Sequence, residues 1–239
     1  PLHSYRRLIA LTSTTMYSLP GPHDVTRHTL PNGITVLVRE NINSPSVVVD
    51  ASIHAGSIYE GRSHAGLANF TAAMLMRGTA NASFNQIHER IESVGASLGS
   101  SCGVHTGGFS GKALAEDLDM LLATGADVVR NPTFPADHVE RLRGETLTGL
   151  AMRAHNTRAM AALTFYEALF GDDHAYGYSN DGYQDTVAAI TRTEMKEFQR
   201  KHFGPKEMIV VIVGSVGAPT AIKMIEKHFG DWSNEKQPA

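Results

Sequence analysis

The chain has 239 residues, 42% of them apolar and 19% charged, the mixture of a folded globular protein rather than a disordered one. Its 21 basic residues against 24 acidic ones leave a formal net charge of −3, so there is no electrostatic footprint for nucleic acid or an anionic membrane. Cys102 is the single cysteine, which excludes an intrachain disulfide and a thiolate zinc site, and no apolar run approaches the ~20 residues of a membrane-spanning helix.

The first residues, "PLHSYRRLIALTSTTMYSLP", carry arginines and hydroxyls but no acid, a faint likeness to a targeting segment. Met16 is the better candidate for a true start, and residues 1–24 are read as an extension outside the fold, disordered or not native. "VTRHTLPNGITVLVRE" is a pair of alternating runs around Pro31-Asn32-Gly33, the signature of a β-hairpin, because Asn-Gly accepts positive φ. "SPSVVVDASIHAGS" follows as a third strand. From Gly66 the period becomes helical, with Leu67, Phe70, Met74 and Leu75 as the apolar stripe and Gly78 as the stop.

"SFNQIHERIESVGASLG" predicts a second helix with Ser83 as N-cap, Gln86 completing a capping box and Gly95 terminating it. "SLGSSCGVHTGGFSGKAL" predicts a strand pair. "AEDLDMLLATGADVVRNPTF" opens with acids suited to a helix N-terminus and ends before Pro132. Two long helical patterns span Ala136 to His155 and Thr157 to Phe170, and "DDHAYGYSNDGYQD" is a loop by composition. An amphipathic helix capped by Thr191 or Thr193, a buried strand "EMIVVIVGSV" and a closing helix "PTAIKMIEKHFGDW" complete the order, and "SNEKQPA" is a polar tail expected to fray. Antiparallel strands first, helices next and a strand–helix pair last predict an α+β fold: one antiparallel-dominated mixed sheet with helices packed on one face. Residues 25–232 are read as one domain and 233–239 as a tail leading to a linker.

The stretch "GLANFTAAMLMRGT" has the spacing of a helical metal site without its ligands, since Asn69, Ala72 and Ala73 stand at i, i+3 and i+4. Together with "LPNGITVLVRE", "HAGSIYEGRSHAGLANF", "IESVGASLG", "NPTF" and the closing "VIVGSV" and "HFGDW", it resembles, in order and spacing, the N-terminal domain of the M16 zinc metallopeptidases. These are the inverzincins, which include pitrilysin, insulin-degrading enzyme and the mitochondrial processing peptidases. The resemblance runs from Val25 to Trp232 and implies the M16 peptidase/LuxS-like metallohydrolase fold.

The family hallmark is H-x-x-E-H on a helix: two histidines grip zinc and the glutamate activates its water. By resemblance, Asn69 and Ala73 take the histidine places and Ala72 the glutamate's, while a third ligand, a glutamate on a later helix, falls at Gly149 in "RLRGETLTGLAMR". Neither Thr148 nor Leu150 is a carboxylate, and Glu145 lies one turn away, about 6 Å along the axis. Methyl groups and a bare backbone donate no lone pair, so the expectation is no catalytic residue, no metal and no cofactor, zinc belonging to active relatives only.

The resemblance therefore implies a non-catalytic homologue that pairs with an active M16 subunit or a second M16-like domain and helps to hold peptides in the chamber between them. Family subunits are two such domains in tandem, so the chain is expected to be a fragment. A scaffold subunit like the core proteins of respiratory bc complexes, and an active peptidase with a displaced zinc site, are the alternatives. Compartment stays open between cytoplasm and periplasm.

Other candidates carry less. His54 and His105 fall on predicted strands, His64 precedes the motif helix, and "DDH" at Asp172 to His174 reads as a solvated turn. His88, His202 and His228 lie among charged neighbours and read as surface residues; Met74, Leu75 and Met76 read as core. "GGFSGKAL" is one residue short of a phosphate loop and has Ala113 where Mg²⁺ needs a hydroxyl. Cys102 has no local base, and no G-x-S-x-G elbow appears.

Overall fold

The computed structural model describes residues 21–238. The strands are β1 (Thr26–Thr29), β2 (Thr35–Glu40), β3 (Ser46–Ile53), β4 (Ser97–Cys102), β5 (Gly107–Leu114) and β6 (Ile209–Gly214). The helices are α1 (Leu67–Met74), α2 (Phe84–Glu92), α3 (Leu118–Arg130), α4 (Ala136–Arg153), α5 (Thr157–Phe170), α6 (Gln184–Ala189), α7 (Arg192–His202) and α8 (Ala218–Phe229). The targeting-like stretch and Met16 lie outside the described residues; Pro22–Asp24 forms a 3-10 turn that leads into β1.

The strands form one sheet in the order β1-β2-β6-β3-β5-β4. β6 is inserted between the first hairpin and β3, parallel to β2 and antiparallel to β3, while the other pairs are antiparallel. This is the expected α+β arrangement, a mixed sheet with antiparallel pairing dominant. Alternation decides the layers: Val47, Val49, Ala51 and Ile53 of β3 are buried, whereas Val48 is 47% exposed on the opposite face. α3 and α8 pack over β5 and β2, and α1 packs over β4 and β5, so the helices cover the buried face. The last strand departs from expectation. "IVVIVG" reads as buried throughout, yet only Val210, Ile212 and Gly214 point into the core, and Ile209 is 41% exposed. A continuous apolar run does not distinguish a strand covered on both faces from one covered on a single face.

Local signals place the elements. The hairpin turn puts Gly33 at φ 96° and aims Asn32 at the end of α8, where its amide donates to the carbonyls of Phe229 (2.7 Å) and Trp232 (3.2 Å). The Ser83–Gln86 box closes in both directions, as does the one between Thr191 and Glu194 on α7; such a cap is worth about 1 kcal/mol. Met74, Leu75 and Met76 are all buried, as expected.

Two expectations fail. His202 is 4% exposed rather than on the surface, stacked between Tyr59 and Phe198 with its Nδ1 unpartnered. It falls on the apolar stripe of α7 with Met195 and Phe198, and the charged residues beside it point the other way. The tail does not fray either. Gln237 is buried and its side chain pairs with both backbone groups of Lys206, while Asn234 caps the carbonyls of Arg200 and Phe203.

Candidate functional site

Gly66 starts α1 at φ 97°, and a Cβ there would sit 3.0 Å from the Cα of Gly182, so the loop after α5 lies directly against the start of the helix. Glu60 completes this joint. Its carboxylate accepts the backbone N–H groups of Gly66 (2.8 Å) and Ala68 (2.6 Å), donors that the first turn of a helix leaves free. The group is 7% exposed, and burial pushes its pKa up to about 7 even though those N–H bonds favour the charged form. The Tyr178 hydroxyl donates to the carbonyl of Glu60 (2.6 Å), and Thr186 Oγ1 donates to that of Ala65 (2.7 Å). The loop is thus strapped to α1 from both ends.

Between α1, α4 and this loop lies a cleft of about 370 Å³ whose lining includes Asn69, Ala73 and Gly149. Three positions that resemblance singles out, on two helices far apart in sequence, share one cavity. Ala72 does not line it. It is fully buried, and its carbonyl accepts from Ser100 Oγ at 2.6 Å, which ties α1 to the middle of β4. Asn69 donates to Asp181 Oδ1 (2.9 Å), and Arg153 donates to Ser179 Oγ (2.7 Å) and the carbonyl of Gly182 (2.9 Å). Glu145 is turned away, paired with Arg141 at 3.0 Å and near Arg77.

Glu60, Arg153, Tyr178 and Asp181 carry no sequence signal of their role, because each acts across the chain rather than within a motif. "NDG" at Asn180 to Gly182 announces a turn and nothing more.

The histidines scatter. His54 lies 3.9 Å from Glu207, His64 lies 3.5 Å from Glu194, and His228 pairs with Asp119 at 2.8 Å. His88 is half-buried, with its Nδ1 3.6 Å from Glu92. His105 and His174 both contact Tyr176, through its hydroxyl and its backbone N–H respectively. Among the described residues, no three His, Cys, Asp or Glu side chains gather closely enough to share an ion. The Cys102 thiol donates to the carbonyls of Ala55 and Gly103, and burial pushes its pKa up to about 12, which leaves it protonated and unreactive.

With this geometry in hand, comparison with known proteins gives the family. The family model for insulinase, peptidase family M16, matches residues 35–175, and the one for the peptidase M16 inactive domain matches residues 189–239. The chain belongs to peptidase family M16. It is 31% identical over 206 residues to an uncharacterised zinc protease of Mycobacterium leprae, covering 86% of this chain and 46% of that protein. Cytochrome b-c1 complex subunit 1 of Caenorhabditis elegans is 26% identical over 215 residues, 87% of this chain and 43% of the relative. The crystal structure of a peptidase M16 inactive domain from Pseudomonas fluorescens superposes with a TM-score of 0.83 at 25% identity, over 90% of this chain and 52% of that one. The chain thus spans about half the length of these M16 relatives. No helix among the described residues is long and apolar enough to cross a membrane.

Proposed function

We propose that this M16 chain is a non-catalytic domain that pairs with an active zinc peptidase or a second M16-like domain and forms one wall of a peptide-holding chamber. The observation that carries the reading is the cleft bearing Asn69, Ala73 and Gly149. Zinc in a hydrolytic site takes three protein ligands and a water. The residues here do not fit that ion: the seats offer an amide already committed to Asp181, a methyl group and a glycine. Ala72, at the place of the general base, has no group to take a proton. What remains is a wall. Among the described residues β4 pairs only with β5, so its outer edge presents unpaired backbone N–H and C=O groups beside α1, the arrangement to which an extended peptide adds as a further strand.

Co-expression with an M16 subunit carrying an intact H-x-x-E-H tests this. The expected outcome is a stable pair whose chelator-sensitive peptide hydrolysis comes from the partner. One tightly held zinc per chain, with peptide hydrolysis by the chain alone, would overturn it. The likeness to a cytochrome b-c1 complex subunit favours one second reading, a scaffold role, in which the partner recovered is a membrane redox complex.

A further inference from the structure

We infer that the cavity at the degenerate metal position is a side-chain pocket that takes one uncharged apolar residue of a bound peptide. This rests on the reading of the chain as a peptide-holding wall and names the class of residue held. The floor is apolar, built from Phe70, Ala73, Leu142 and Leu150, and Gly149 opens it further because a Cβ there would meet nothing within 4 Å. Its volume of about 370 Å³ lies at the small end of ligand pockets, room for a side chain and not for a helix or a folded partner.

The rim sets the charge. Arg153 donates to Ser179 and Gly182 and lies 3.9 Å from Asp181, and Asp181 accepts from Asn69. The two opposite charges lie 3.9 Å apart, so the rim carries no net charge to draw in an acidic or a basic guest. A charged guest would give up hydration for little net attraction, whereas an aliphatic or aromatic one loses only unfavourable contact with water.

The neighbourhood fits a linear ligand. A second cleft of about 520 Å³ shares Arg153 and Asp181 as a common wall and is lined by Val104, Tyr166, Phe170 and Tyr176. Val104 lies in the turn that follows β4, and Ser100 of β4 is bonded to α1 beside the first cavity. The two hollows therefore adjoin through Arg153 and Asp181, and the second reaches the turn that follows β4. An extended chain projects alternate side chains to one face, roughly 7 Å apart, so a single peptide can fill both.

The test uses the 239-residue chain and a fluorescein-labelled, unstructured Ser/Thr/Ala peptide with one guest residue: Leu, Phe, Asp or Lys. Anisotropy titrations should show the Leu and Phe peptides binding at least about tenfold more tightly than the Asp and Lys peptides. In G149F the new ring occupies the pocket, so Leu-peptide affinity should fall about tenfold while G149A stays within about threefold of wild type. Equal affinity for all four guests, no binding of any guest, or a G149F protein that melts like wild type and binds the Leu peptide unchanged would each overturn the inference. These outcomes differ from the failure of the functional reading, which shows as zinc-dependent hydrolysis by the chain alone. The guest series in the unmutated protein stands whether or not G149F folds.

Discussion

Asn69 reaches across from α1 to donate its side-chain amide to Asp181 at 2.9 Å, closing the loop after α5 over that face of the helix. The bond is solvent-exposed, and such bonds contribute about 0.5–1.5 kcal/mol. Asp181→Ala should therefore speed amide exchange across residues 179–183 with little change in melting temperature. The Tyr178 and Thr186 hydroxyls still hold the loop at its two ends. Exchange that stays at the wild-type rate would show that the tie does not order the loop.

Glu60 gives the protein a pH dependence of definite sign. Its folded-state pKa is raised from 4.5 to about 7 by burial, so folding binds a proton that the unfolded chain releases. The contribution is fully present below about pH 4.5 and is lost as pH rises through about 7, a difference on the order of 3 kcal/mol. Glu60→Gln removes that loss and keeps one acceptor for the α1 amides. Urea unfolding across this window should show the variant gaining stability relative to wild type as pH rises. A constant difference would mean that the carboxylate stays charged at the helix terminus.

His202 acts in the opposite direction. Burial between Tyr59 and Phe198, with a smaller push from Lys201, lowers its pKa from 6.5 to about 4, so the folded state prefers the neutral ring. Its contribution is present above about pH 6.5 and is lost as pH falls through about 4. His202→Phe keeps the stacking and removes a buried nitrogen that has no partner. The variant should gain thermal stability relative to wild type as the buffer is acidified, and equal melting shifts in neutral and acidic buffer would refute this.

Gln237 tests the docked tail. Its Oε1 accepts from Lys206 N–H (2.9 Å) and its Nε2 donates to the Lys206 carbonyl (3.0 Å) in a buried setting. Gln237→Ala strands both backbone groups and should cost about 1–3 kcal/mol in denaturant unfolding. A cost near zero would mean that water replaces the side chain and the segment is only laid on the surface.

Added donors should create metal binding. Asn69→His, Ala73→His and Gly149→Glu place three ligands around one cavity, and the space at Gly149 admits the new side chain. Adding Ala72→Glu supplies the missing base but buries a carboxylate where Ala72 is fully enclosed, so the quadruple variant should be less stable than the triple before zinc is added. Metal analysis after gel filtration should find zinc with both variants and none with wild type. A folded triple variant without zinc would put the third ligand at a position other than Gly149.

Much of the fold is legible in the sequence because its determinants are local. Alternating runs, a helical stripe from Leu67 to Leu75, the Ser83 and Thr191 caps and the Asn32-Gly33 turn each act within a few residues, and all appear where their patterns place them. The reading of Asn69, Ala72, Ala73 and Gly149 as empty zinc and base places is equally local, since it rests on side-chain type alone: alanine and glycine side chains have no lone pair, and an amide oxygen is a poor zinc ligand.

Tertiary packing alone decided the rest. Nothing in "IVVIVG" says that β6 slots between β2 and β3, or that one of its faces stays open. Nothing near Glu60 announces that its carboxylate will cap a helix beginning seven residues later, and the charged neighbours of His202 point away from its burial. The meeting of Ala73 with Gly149, and the closure of Asp181 over both, depend on how α4 and a distant loop settle on α1. Contacts between residues far apart in the chain are set by the packing of whole elements, and that packing leaves no mark on the short-range pattern of either partner.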